Sequence, residues 1–212
     1  MSTITVLLAD DHEVVRAGYR RLFESTDDIE VVAEATNGEE AYQLYLEHTP
    51  TVVVMDLTMP GIGGLDASRR ILGRDSNARI LVFSVHENEV FLERAMDLGI
   101  LGYISKRNAS RVMIEAIRCV ARGEPFIGQE MMPHLVQRRQ SQDGERVAGL
   151  SPREFEVFRL RADGKSVNEI AELLFVSPKT IGHHYTSVKQ KLGAANSAEL
   201  TRLAIRLGII SP

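Results

Sequence analysis

The sequence predicts an α/β protein in two parts: a doubly wound parallel sheet of five strand–helix pairs, followed by a smaller all-α domain. Three observations carry this. Over the first 122 residues, short β-branched runs alternate with amphipathic stretches, the pattern of strands buried on both faces by helices. From Gly123 to Gly149 that periodicity fades. Beyond it, four helical patterns follow one another with no strand signal between them.

The first pair is a strand at Ile4–Ala9 and a helix over about Val14–Phe23. The second pairs Val31–Ala35 with about Glu39–Glu47, and the third Thr51–Asp56 with about Leu65–Gly73. Pro60, Gly61, Gly63 and Gly64 read as the turn that precedes the third helix. The fourth pairs Arg79–Ser84 with about Glu89–Leu98, and the fifth Gly102–Ser105 with about Val112–Arg122. Right-handed crossovers between such units give one open sheet with its ligand crevice at the carboxyl ends of the strands.

Residues 1–123 therefore form the first domain, 124–148 a linker and 149–212 the second domain. The stretch QRRQSQDGER holds no apolar residue, as expected of solvated chain. The later helices are about Pro152–Ala162, Val167–Phe175, Pro178–Leu192 and Ala198–Leu207. Ser177 is placed to cap the third of these, Pro178 suits its first turn and Gly193 its end. With Val167–Phe175 just before it, the outline is a helix-turn-helix.

Charge separates the two parts. Of a net charge of −4, residues 1–130 carry 13 Lys+Arg against 21 Asp+Glu, while residues 149–212 carry 9 against 6. Only the C-terminal part is electrostatically suited to a polyanion. No run approaches the roughly 20 apolar residues that span a bilayer, and the N-terminus enters a strand pattern directly, so the expected location is the cytoplasm without membrane contact. Cys119, the single cysteine, excludes an intramolecular disulfide and reads as a packed small hydrophobe.

Three carboxylates stand at strand ends: Asp10 and Asp11 after the first strand, Asp56 closing the third. In a doubly wound sheet those strands are neighbours, so the acids converge where the strand order reverses. Three negative charges together favour a hard divalent cation, Mg²⁺ or its near equivalent Mn²⁺. With the cation neutralising an incoming phosphoryl group, Asp56 is suited to form an acyl phosphate. Ser84 and Lys106, at two further strand ends, offer a hydroxyl and an ammonium to phosphoryl oxygens. Aspartate-based phosphohydrolases also use a strand-end Asp, but they need a second Asp two residues on, where this chain has Thr58.

The segments ADDHE at 9–13, MDLTMPGIGGLD at 55–66, FSV at 83–85 and GYISK at 102–106 resemble the receiver domain of bacterial two-component response regulators. The resemblance covers residues 4–122 and implies a flavodoxin-like (βα)5 fold. It implies Asp56 as phosphoacceptor and Mg²⁺ held by Asp10, Asp11, Asp56 and the backbone carbonyl of Thr58. It further implies phosphoryl contacts from Ser84 and Lys106, a sensor histidine kinase or other phosphodonor, and a switch in which Tyr103 rotates inward. Such a domain promotes only its own phosphorylation and dephosphorylation; the chain is otherwise not expected to be an enzyme.

At ~100° per residue, Ile181, Tyr185, Val188 and Leu192 share one stripe of the predicted Pro178–Leu192 helix, with His184 at its edge. Lys179, His183, Thr186 and Gln190, flanked by Gly182, Ser187 and Lys189, form the opposite face, uncharged or cationic as a helix entering the major groove should be. LSPREFEVFRL, NEIAELLFVSPKTIGHH and VKQKLG resemble the LuxR-type DNA-binding domain over about 149–209, and joined to a receiver they resemble the NarL/FixJ response regulators. That resemblance implies Thr180–Leu192 as recognition helix on double-stranded promoter DNA and a homodimer paired through the final helix. Gly182 and Thr186 stand where family members often carry Lys or Arg, which leaves fewer phosphate contacts and an alternative role as a protein-interaction adaptor.

Overall fold

A computed structural model of the chain describes residues 3–87, 89–107, 109–133 and 142–210. By compactness it divides into one unit of Met1–Glu87 with Ala95–Pro133 and another of Asn88–Arg94 with His134–Pro212.

The first unit is built on β1 (Ile4–Ala9), β2 (Ile29–Ala35), β3 (Val52–Met55), β4 (Ile80–Ser84) and β5 (Gly102–Ser105), with α1 (Glu13–Glu24), α2 (Gly38–His48), α3 (Gly64–Arg74) and α5 (Ala109–Ala121) between or after them in chain order; α4 (Glu89–Asp97), between β4 and β5 in the chain, falls to the other unit over its residues up to Arg94. The sheet order is β2-β1-β3-β4-β5 with a sixth strand, β6 (Phe126–Ile127), beside β5, and every pairing is parallel. Both faces are covered, so Val6–Ala9 and Val52–Met55 are wholly buried along their length. Each such side chain contributes about 1.5–3 kcal/mol relative to exposure. That is why these strands read as continuous apolar runs and not as alternating ones. One core cluster joins Val6, Leu8, Val52 and Val54 to Phe83, Ile104, Met113 and Ile117.

The stretch read as a linker holds more structure than expected. Phe126–Ile127 forms β6, with Gly102 opposite Phe126 and Tyr103 opposite Ile127. Two residues are too few to show a period. Gln142–Ala148 forms a helix, α6, whose wholly buried residue is Val147, and one apolar anchor in a polar stretch gives no stripe to read. Residues 137–141 of QRRQSQDGER lie outside the described residues.

The second unit continues with α7 (Pro152–Ala162), α8 (Val167–Leu173), α9 (Pro178–Leu192) and α10 (Ser197–Arg206). Caps fix these boundaries. Ser151 with Glu154 and Ser166 with Glu169 form capping boxes, Ser177 accepts from the Thr180 N–H, and Asn196 accepts from that of Glu199. Each such cap is worth about 1 kcal/mol. Gly193, at φ 66°, ends α9 in the left-handed conformation. α8 stops two residues before the expected Phe175, because Phe175 itself sits at φ 50° and turns the chain toward α9. Val157, Ile170 and Ile181 are wholly buried at the centre of this unit.

Cys119 departs from its reading. It is only half-buried, with Sγ 3.7 Å from a Glu124 carboxylate oxygen, and burial with that carboxylate pushes its thiol up. No helix among the described residues is long and apolar enough to cross a membrane.

Candidate functional site

β1 and β3 lie side by side with Ala9 opposite Met55, so the residues that follow them emerge together at the carboxyl edge. The Asp56 N–H donates to Ala9 O at 2.9 Å and the Asp10 N–H to Ala35 O at 3.0 Å, which continues the ladder to the acids themselves. Arg16 fixes the Asp10 backbone from α1, donating to its carbonyl at 2.7 Å. Asp10 and Asp56 are buried and Asp11 is exposed at the rim.

Lys106 reaches the same place from β5. Its N–H donates to Ser84 O, and its Nζ lies 2.6 Å from Asp10 Oδ2 and 2.7 Å from Asp56 Oδ2. Asp10 Oδ2 is met in the buried pocket by the Lys106 ammonium as an ion pair. Burial pushes the Asp56 carboxyl up to about 6, with the Lys106 ammonium pulling the other way and Asp10 adding to the rise. Burial also works against the charge on Lys106, but the two carboxylates outweigh it and hold the ammonium above its ordinary value. A pocket in which ionising Asp56 is costly favours additional positive charge.

Ser84 is buried at the end of β4, its Oγ accepting from the His86 N–H at 3.2 Å. Tyr103 is also buried, donating from its hydroxyl to the His86 carbonyl at 2.7 Å. The Thr58 N–H donates to Asp56 Oδ1, and Thr58 Oγ1 is 3.0 Å from His86 Nε2. Asp10, Asp11, His12 and Asp56 each offer a ligand atom within 4.8 Å of the others, and the oxygen donors among them fit a hard divalent ion.

Gly61 turns the chain at φ 76° and Gly63 is the N-cap of α3, while Gly64, read from the sequence as part of the turn, is the first residue of the helix. A Cβ there would stand 1.9 Å from the Asp56 carbonyl oxygen, so only hydrogen fits between α3 and the end of β3. Gly64→Ala is expected to displace Asp56, lowering stability by about 1–3 kcal/mol in urea denaturation. Gly73→Ala, where a Cβ meets nothing within 4 Å, serves as the neutral or mildly stabilising control.

In the second unit, Ile181, Val188 and Leu192 bury one side of α9, with Tyr185 half-buried beside them. Burial and the nearby Arg153 charge depress the half-buried His184 imidazole. Lys179, His183, Thr186 and Gln190 are exposed, and Thr180 is engaged at the cap with Ser177. Thr186 Oγ1 donates back to Gly182 O, and Lys189 Nζ lies 5.1 Å from the Tyr185 ring centroid. Ser187 does not share the outer face, because its hydroxyl donates to Glu154 Oε1 at 2.6 Å.

The residue that sequence reasoning missed here is Glu154. Buried on α7, it accepts from the Ser151 N–H, Ser187 Oγ and Lys191 Nζ, the last two at 2.6 and 2.7 Å, and so holds α9 from behind. Its signal was present as the Ser-x-x-Glu of a capping box. His12 was likewise in plain view within ADDHE, but nothing local showed that its ring turns back toward the acids.

Two family models match the chain: the response regulator receiver domain over residues 6–118, and the bacterial regulatory proteins of the luxR family over residues 148–204. The response regulator UvrY of Escherichia coli K12 is 38% identical over 208 residues, 97% of this chain and 95% of that protein. The transcriptional activator protein ExaE of Pseudomonas putida is 38% identical, covering 97% of both chains. Among solved structures, the Salmonella typhimurium RcsB response regulator superposes with a TM-score of 0.72 at 29% identity over 98% of each chain. RcsB from Salmonella enterica serovar Typhimurium, bound to promoter P1flhDC in the presence of the phosphomimetic BeF3⁻, gives a TM-score of 0.69 at 29% identity over 95% of this chain and 98% of that one.

Proposed function

Since the chain belongs to the NarL/FixJ-type two-component response regulators, with a receiver domain and a LuxR-type DNA-binding domain, we propose that phosphorylation of Asp56 sets how tightly the outer face of α9 binds promoter DNA. The observation that carries this is the meeting of two buried carboxylates, Asp10 and Asp56, with Lys106 at the carboxyl edge of the sheet. The family's regulators act on DNA, and the workplace of this chain is accordingly the cytoplasm, with a sensor histidine kinase or a small phosphodonor upstream.

Asp10, Asp11, Asp56 and the Thr58 carbonyl would hold Mg²⁺, which when bound supplies charge neutralisation at the transferring oxygens. An Asp56 carboxylate oxygen forms the bond to phosphorus as the bond from phosphorus to the donor breaks, and the donor leaves with its electron pair. Lys106 pairs with a phosphoryl oxygen and Ser84 donates its hydroxyl to another. Tyr103, packed beside them, reports occupancy to the surface. The phosphoryl group shifts the population only by as much as it binds the active arrangement better than the inactive one. Two such regulators on one two-fold DNA site would pair through α10.

Incubation with acetyl phosphate and Mg²⁺ is expected to add the mass of one phosphoryl group to the parent chain and none to Asp56→Asn. Uptake by Asp56→Asn equal to that of the parent would overturn the assignment of the acceptor.

The DNA-facing side of α9, with Lys179, Thr180, Gly182, His183, Thr186, Lys189 and Gln190, carries few groups free for phosphate or base contacts. A Cβ at Gly182 meets nothing within 4 Å, so a longer side chain fits there without repacking. Gly182→Lys is expected to tighten duplex binding at low salt and steepen the salt dependence by about one unit of slope. Failure of the parent chain to retain any duplex at low salt would favour the adaptor role.

A further inference from the structure

One nitrogen faces the acidic pocket alongside the oxygens assigned above. His12 Nδ1 lies 2.9 Å from Asp11 Oδ1 and 3.2 Å from Asp10 Oδ1. Adjacent ligands on an octahedral ion with bonds near 2.1 Å stand about 3 Å apart, so these hydrogen-bonding separations would also suit neighbouring positions in one coordination shell. The ring is held there by hydrogen bonding, since His12 Nδ1 is bonded to Asp10 Oδ1, the same oxygen that accepts the His12 backbone N–H at 2.9 Å. His12 occupies the N-cap position of α1, yet its side chain makes no capping bond to the helix. The cap role that would explain a ring at this position is therefore not what orients it. With 65% of its side chain exposed, the imidazole stands where a hydrated ion arrives.

We propose that His12 is a protein ligand in this pocket, converting an all-oxygen site into a mixed oxygen and nitrogen site that takes divalent first-row transition ions in preference to Mg²⁺. Imidazole suits Co²⁺, Ni²⁺ and Zn²⁺, whereas Mg²⁺ prefers oxygen and dehydrates reluctantly. The inference rests on the pocket being a cation site, and it adds the selectivity of that site. The competing account makes His12 an imidazolium that pairs with Asp10 and Asp11 in place of a cation.

The test uses the full chain, with Co²⁺ followed by visible absorption and Mg²⁺ by calorimetry, in the parent, His12→Ala and His12→Asn. His12→Asn keeps a favoured N-cap residue, so α1 retains its start. The expected result is a Co²⁺ Kd raised about ten-fold or more in both variants, with the Mg²⁺ Kd unchanged within about two-fold. The Co²⁺ band of the parent should also change on removing the imidazole. Equal losses for both ions would mean that His12 only shapes the pocket, and would overturn the proposal. Tighter binding of both ions by the variants would establish the imidazolium account instead. Co²⁺ binding through His12 without measurable Mg²⁺ binding would uphold the histidine ligand while refuting the Mg²⁺ reading.

Discussion

Lys106→Met is expected to destabilise the receiver by about 3–5 kcal/mol at neutral pH in the presence of a chelator, the cost of leaving buried charges without their partner. The ammonium is the one side-chain cation within 3 Å of both Asp10 Oδ2 and Asp56 Oδ2 among the described residues. Its removal leaves two buried carboxylates facing each other. Mg²⁺ is expected to restore most of the loss, because a divalent ion supplies the same neutralisation from the same oxygens. Acid should restore it too. The Asp56 carboxyl stands at about 6 with the Lys106 ammonium pulling it down, and losing the ammonium moves it higher, so the penalty grows as the pH rises above about 6 and fades below it, where Asp56 is protonated in both folded chains. Urea denaturation in chelator and in Mg²⁺ checks this; equal destabilisation in both would show that Lys106 serves packing and not charge.

Glu154→Ala is expected to cost the DNA-binding unit about 3 kcal/mol near neutral pH, and to loosen α9. Burial raises the Glu154 carboxyl, but Lys191, Ser187 and the Ser151 cap together overcome it and hold it down at about 2, from an ordinary 4.5. A depressed carboxylate contributes stability that is present above 4.5 and lost as the pH falls through about 2, at about 1.4 kcal/mol per unit. The gap between parent and Glu154→Ala should therefore narrow progressively as the pH falls from 4.5 toward 2. A gap that stays constant over that range would assign the loss to packing. Glu154→Gln, which keeps the volume, should lose the Lys191 contact and most of the same stability.

Much of this architecture was legible because burial on two faces forces apolar runs. Val6–Ala9, Val52–Met55 and Ile80–Phe83 are all buried, and the acids had to follow them. The polar ends of those strands were readable for the same reason: Asp10, Asp56, Ser84 and Lys106 are chemistry placed where the core stops. What escaped has no period or depends on side-chain direction. β6 spans two residues, and α6 rests on Val147. Ser187 lies toward the outer face by helical projection, but an acid from α7 draws its hydroxyl inward. His12 could be seen, but its turn toward Asp10 and Asp11 needs the loop in three dimensions.

The most direct measurement of the central claim is the affinity of the full chain for duplexes selected from genomic DNA, before and after treatment with a phosphodonor and Mg²⁺, for the parent and Asp56→Asn. Tighter binding by the treated parent, with Asp56→Asn unmoved, is the predicted result. Equal responses from the two chains, or a fully phosphorylated parent that binds no better than before, would contradict the coupling of the acidic pocket to α9.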